Sequence, residues 1–258
     1  MNKSLIIFII SIIIILITFI FFYYFSSKSN IETFINPNDY YFLSKEEVLI
    51  FMNNDEDNYI KKLSIYDLKA RKVKTSNEYL DLISHSCMDF TQEQKEKLII
   101  SAFEASQYFN NGFKWKFGLL SSNYEEGFPH TRTDIIFLSP AIVNYEKNEL
   151  TKILIHESIH IYQRYNTLKI DEYLKNNGYV ISRIKNDPLI RANPDLNDII
   201  YKDKNGIELV AYYNSKEPKG INDVKLNNLN NEHPFEKMAY EIADNYYKSL
   251  MIKKYKEI

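Results

Sequence analysis

The sequence predicts an α+β fold, mostly helical with a small mixed sheet, preceded by an N-terminal transmembrane helix. Three observations predict it. The run Leu5–Phe25 carries no charge. Several later stretches pair a helix-start signal with apolar residues at helical spacing. Only a few short stretches, led by Phe113–Phe117 and Asp134–Leu138, read as strands.

The chain has 258 residues, enough for one substantial domain or a domain with an extension. Its formal net charge of -2 offers no electrostatic footprint for a nucleic-acid partner. The single cysteine, Cys87, excludes an intramolecular disulfide and reads as a small idle thiol. No internal repeat is visible.

Leu5–Phe25 is interrupted only by Ser11 and Thr18, and Tyr23 and Tyr24 sit at its end, where interfacial aromatics are expected. At about 1.5 Å per residue it is long enough for a bilayer core of about 30 Å. It lacks the short apolar stretch and small-residue cleavage site of a signal peptide. The expectation is a single-pass anchor that gives the protein a membrane partner. Lys3 and the amino terminus on one side nearly balance Lys28 and Lys45 on the other; the expectation leans slightly to the amino terminus inside and the following domain outside the cytosol, although the absence of paired cysteines leans the other way. The expected organisation is a tail (1–4), the anchor (5–25), a linker (26–43), a helical N-terminal subdomain (44–112) and a C-terminal region (113–258).

Ser44 and Glu47 have capping-box spacing ahead of the apolar run Val48 to Met52. A second helix is expected from Asn58 to Lys69, with Ile60, Leu63 and Leu68 inward. A third is expected from a cap at Ser76 to about Ser84. Thr91 and Gln94 open a long helix to about Phe109, with Leu98, Ala102, Ala105 and Phe109 as its stripe and Asn110-Asn111-Gly112 as its end. Phe113, Trp115 and Phe117 alternate with lysines as in a half-buried strand. Asp134–Leu138 is a second strand, which Pro140 marks as an edge strand or a strand terminus. A short helix runs from Asp171 to Asn176. The two prolines within residues 186–198 make an irregular loop. Ile199–Lys202 and Ile207–Tyr213 read as a hairpin around Asp203 to Gly206. Residues 215–231 are loop-like, and Pro234 opens a last helix to about Lys254.

The stretch from Leu150 to Tyr162 reads as a helix starting near Asn148, and it carries His156, Glu157 and His160 at H-E-x-x-H spacing. Residues i and i+4 lie about 40° apart on a helix, so both imidazoles leave one face, with Glu157 about 60° from His160. Leu150, Ile153, Leu154, Ile155, Ile159 and Ile161 surround the helix, which predicts burial. Buried polar groups without partners cost roughly 1–3 kcal/mol each. One cation satisfies all three: two neutral imidazoles bind Zn²⁺, one ion per chain, and the adjacent carboxylate holds a water beside it. The plainer alternative is a pair of core histidines bonded to backbone.

A catalytic zinc takes three protein ligands. Gln163 and Asn166 stand where a metzincin has glycine and histidine, which excludes that class. The best third ligand is Glu236, which shares a helix face with Ala239, Tyr240 and Ala243, the alanines allowing close approach. Glu241, about 140° away beside Lys237 and Lys248, reads as solvated. His233, Asp244, Asp171 and Glu172 are further alternatives, and Asp244 also fits a group that orients an imidazole.

This pattern resembles a gluzincin, a zincin-type metallopeptidase with H-E-x-x-H on one helix and a glutamate on a later one. The E-x-x-A run from Glu236 to Ala239, and a strand shortly before the metal helix, add to the likeness over about residues 113–247. The resemblance implies a zincin-like domain, zinc ligands His156, His160 and Glu236, and Glu157 as general base acting on a peptide or protein substrate. Glu236 lies farther downstream than in thermolysin-like enzymes, so no narrower family is assigned. Tyr240, Tyr201, Tyr212 and His130 are candidate oxyanion donors, Arg191 a candidate carboxylate clamp, and the Asp134–Leu138 strand a candidate edge for peptide pairing. The expected function is that of a membrane-anchored zinc endopeptidase. Its rivals are a non-enzymatic, membrane-tethered binding or structural protein on the same scaffold and hydrolysis of a non-peptide amide or ester. The sequence sets neither substrate nor oligomeric state.

Overall fold

Polar caps decide where the N-terminal helices begin. Ser44 accepts from the Glu47 amide while the Glu47 carboxylate accepts from the Ser44 amide, which starts Lys45–Asn54. Thr91 and Gln94 start Gln92–Tyr108 in the same reciprocal way. Where one helix is expected from Asn58 to Lys69 there are two elements, a 3-10 turn at Ile60–Lys62 and a helix at Ile65–Ala70. The break falls at Ser64, whose own capping box with Asp67 restarts the helix. Ile60, Leu63 and Leu68 are buried all the same. Thr75 rather than Ser76 caps the next helix, Ser76–Ser86.

The computed structural model describes residues 13–14, 16–18, 36–227 and 231–256. Residues 41–258 form one compact unit and residues 1–40 another. The described part of the first unit is helical at 13–14 and 16–18, followed by a 3-10 turn at Pro37–Asp39. The expected membrane anchor requires correction. Among the described residues, no helix is long and apolar enough to cross a membrane. Most of Leu5–Phe25 lies outside those residues, and the longest described helix, Pro234–Lys256, carries Glu236, Lys237, Glu241, Asp244 and Lys248. The single-pass topology, the membrane partner and the placement of a domain outside the cytosol fall with the anchor.

The main sheet has β1 (Tyr40–Phe42), β2 (Cys87–Met88), β3 (Trp115–Leu120), β4 (His130–Arg132) and β5 (Ile135–Leu138). Its order is β1-β3-β5-β4, with β2 antiparallel to one end of β3. β3 and β5 are parallel, β4 and β5 antiparallel, so the sheet is small and mixed. Of the two readings of Pro140, the strand terminus holds, since β5 ends at Leu138 and Pro140 opens the next helix, Pro140–Val143; the edge reading is corrected, because β5 is interior. Both faces are covered. Val48, Met52, Tyr79 and Ile83 share one core cluster with Leu120, Tyr124, Ile135 and Phe137.

A second sheet, β6 (Val180–Ile184), β7 (Ile199–Lys202) and β8 (Glu208–Leu209), pairs antiparallel in that order. The expected hairpin is thus real but short. After Val210 the chain leaves it as β9 (Ala211–Tyr213), which pairs with β10 (Val224–Leu226). The helix Lys147–Tyr165 packs between Gln92–Tyr108 and Pro234–Lys256, with β4 and β5 also against it. Ala239 and Ala243 are buried on the last helix, where small side chains permit that approach.

Candidate metal centre

The Lys147–Tyr165 helix buries Leu150, Leu154, Ile155, Ile159 and Ile161, which fixes its orientation in the core and turns His156 and His160 the same way. Pro234 at the first turn of the last helix places Glu236 opposite them. The two Nε2 atoms are 3.0 Å apart. Glu236 Oε2 is 3.4 Å from His156 Nε2 and 3.8 Å from His160 Nε2. Tetrahedral bonds of about 2.0–2.1 Å put neighbouring ligand atoms about 3.3 Å apart, so these three separations fit one ion. His156, His160 and Glu236 form a cluster able to hold a divalent cation, which supports a catalytic, enzyme-like site. It matches the zincin-type arrangement of H-E-x-x-H with a distal glutamate.

Each ligand is held from behind. Gln163 gives an amide hydrogen to the Phe235 carbonyl at 3.0 Å, so its oxygen must face His160 Nδ1, 2.9 Å away. That oxygen only accepts, so Nδ1 carries the proton and Nε2 keeps its lone pair for a metal. Burial pushes the His160 pKa down, opposed by the charges of Glu236 and Asp195. Glu236 Oε1 accepts from the Asn193 amide at 3.0 Å, and the same amide nitrogen donates to Glu232 at 2.8 Å. The Tyr240 ring meets the His156 ring edge-on, with centroids 4.5 Å apart.

Glu157 is only 2% exposed, and its Oε2 has no hydrogen-bond partner. Burial first, then the Asp195 and Glu236 carboxylates, push its pKa well up, while Arg164 pulls it down. A buried carboxylate with an orphaned oxygen beside a trio able to hold a metal fits a site that receives a cation and a polar reactant.

The other candidates separate cleanly. Glu241 is exposed and pairs with Lys237. Asp244 pairs with Lys152 at 2.7 Å, which leaves it no imidazole to orient. Asp171 and Glu172 are exposed. His233 is a core histidine: Nε2 faces the Ile199 carbonyl and Nδ1 accepts from the Phe235 amide. Tyr201 packs on that histidine, and the Tyr212 hydroxyl accepts from Arg183. Arg191, the candidate clamp, spends its charge on Glu232. His130 faces the Phe128 carbonyl with Nδ1, so its orphaned Nε2 is an acceptor and not an oxyanion donor. Of the four oxyanion candidates, Tyr240 is the one placed against a metal-ligand histidine.

The site lies in an open cleft of about 700 Å³. His156, Glu157, Glu236 and Tyr240 line it together with Phe128 and Val224. None of its lining residues comes from 44–112, so the N-terminal helices complete the core rather than cover the cleft. Sequence reasoning missed Gln163 and Asn193. Gln163 stands three residues after His160, a helix-neighbour spacing that offers a signal; Asn193 offers none.

No protein-family model matches this chain, and neither the curated proteins nor the solved structures contain a match to it.

Proposed function

We propose that this protein is a zinc-dependent peptidase in which His156, His160 and Glu236 hold the ion and Glu157 acts as general base. The observation that carries the proposal is the convergence of two imidazole nitrogens and one carboxylate oxygen beside the unpartnered Glu157 oxygen, in a cleft open to a polymer. Two imidazoles and one carboxylate suit zinc better than magnesium or calcium, which prefer all-oxygen sites. When bound, zinc acidifies water at the site from a pKa of about 15.7 toward about 7 and polarises a carbonyl. Glu157 accepts the proton of the attacking water, and the raised proton affinity of its buried carboxyl suits it to hold that proton and deliver it to the leaving amine. Tyr240 serves as the oxyanion donor. Burial and the Glu236 and Glu157 charges raise its phenol to about 12, so it keeps its hydrogen at neutral pH.

The test uses the full chain and its Glu157→Gln variant, with elemental analysis and casein hydrolysis. Both are expected to hold one zinc per chain, and the variant to lose about 10²–10⁴-fold in rate. A wild-type chain without stoichiometric metal, or a variant that cleaves as fast as the parent, refutes the reading.

A further inference from the structure

We propose that the substrate polypeptide docks as an added strand on the outer edge of β10, through the backbone groups of Val224 and Leu226. The peptidase reading supplies the occupant; the edge itself follows from the ladder.

β10 pairs with β9 antiparallel, Val224 opposite Tyr213, Lys225 opposite Tyr212 and Leu226 opposite Ala211. Just outside, Asn214 N–H donates to the Asp223 carbonyl at 3.0 Å and Asn227 N–H to the Val210 carbonyl at 3.3 Å. Backbone groups alternate in direction along an antiparallel ladder. Asp223, Lys225 and Asn227 therefore face β9, while Val224 and Leu226 turn their N–H and C=O groups away from it. The described ribbon has two strands, so no third strand takes up those groups.

The alternative edge is closed. β4 borders the same cleft, but within it only Thr131 turns its backbone away from β5, given the His130–Phe137 and Arg132–Ile135 pairs flanking it. The Thr131 amide already donates to Asp195 at 2.6 Å, and its carbonyl accepts from Arg164 at 3.0 Å. A peptide that paired there would first have to displace two charge-assisted bonds.

The open edge also selects side chains. Val224 and Leu226 share one face of their strand and line the metal cleft with Ile221, Phe128 and Ile153. Phe128 is 49% exposed, a large ring in the cleft wall with water over half its surface. The occupant that fits is an extended, locally unfolded polypeptide with apolar residues at alternate positions.

The experiment uses fluorescein-labelled β-casein, an unfolded polypeptide, with the full-length, zinc-loaded protein. Val224→Pro and Leu226→Pro each delete one outward donor and leave the ladder bonds to β9 intact. Binding is read by anisotropy in the Glu157→Gln background, and KM and kcat in the active background. Each proline is expected to raise Kd and KM about 10-fold with kcat within about two-fold, the loss of roughly one hydrogen bond. Thermal melting and zinc content show that the variants fold. If a proline variant does not, the double variant Val224→Ser, Leu226→Ser tests the apolar face with the same expectation. Folded variants that bind and cleave like their parent overturn the docking edge and leave the peptidase reading standing. Edge-sensitive binding without any cleavage by the wild type overturns the peptidase reading alone. No binding of β-casein at all overturns the proposed occupant.

Discussion

Gln163 holds His160 by its Nδ1 nitrogen across 2.9 Å, and the Phe235 carbonyl decides which way round the glutamine sits. One amide thus fixes a histidine tautomer and ties the metal helix to the helix that brings Glu236. Replacing Gln163 with leucine is expected to weaken metal binding about 10–100-fold. It also leaves the buried Nδ1–H of His160 unpaired, for a stability loss of roughly 1–3 kcal/mol. Competition with a chromophoric chelator measures the first and urea denaturation the second. Unchanged metal affinity would mean that the tautomer is set elsewhere.

Asn193 plays the corresponding part for the carboxylate, since it holds Glu236 Oε1 and leaves Oε2 to the histidines. Asn193→Ala is expected to lower metal affinity about 10–100-fold. Glu241→Ala, which removes an exposed carboxylate paired only with Lys237, is expected to leave it unchanged. Zinc retained after dialysis against a weak chelator compares the two. Equal retention would refute the assignment.

Arg71 and Glu125 form a buried pair, with Arg71 Nε and Nη2 each 2.7 Å from the carboxylate and the Tyr79 hydroxyl donating to it. Burial by itself raises the Glu125 pKa, but the charge and hydrogen bonds of Arg71 outweigh it, and the net shift is downward. A carboxyl whose pKa is lower folded than unfolded stabilises the fold above its unfolded value of about 4.3, and that stability is lost as pH falls through the folded value. Melting temperature is therefore expected to fall more steeply for the wild type than for Glu125→Gln between about pH 5 and about pH 3. At pH 7 the variant, which leaves Arg71 only the Asp67 carboxylate 3.9 Å away as a charge partner, is expected to lose about 3 kcal/mol. Parallel pH profiles would contradict this.

Gly118 sits on β3 under the Phe137 ring. A Cβ there would lie 2.4 Å from Phe137 Cε1 and 3.3 Å from Val48 Cγ2. Gly118→Ala is expected to cost about 1–3 kcal/mol, because the parallel β3–β5 pair leaves the ring nowhere to retreat. A denaturant midpoint equal to the wild type's would show that the core repacks freely.

The sequence by itself determined what lies within a few residues along the chain. Helical periodicity turned His156 and His160 to one side, and it separated Glu236 from Glu241 on the last helix. Four-residue capping boxes marked Ser44 and Thr91 as helix starts. The apolar spacing of Ile60, Leu63 and Leu68 predicts one helix, whereas the capping box of Ser64 with Asp67 divides that stretch into two elements. The uncharged run Leu5–Phe25 suggested an anchor on hydropathy alone, and no described helix supplies one.

Tertiary structure decided the relations that span long stretches of chain. Strand order placed Ile135–Leu138 inside the sheet, although Pro140 had suggested an edge. β10 was hidden in an Asn-rich loop because its three residues become a strand only against Ala211–Tyr213. Glu236 Oε2 comes within 3.4 Å of His156 only when the last helix packs on the metal helix, and Asn193 reaches Glu236 from a loop of no regular structure. The physical reason is one of range. Backbone sterics and caps act over a turn of helix, whereas side chains far apart in sequence meet only after the apolar faces between them have been buried.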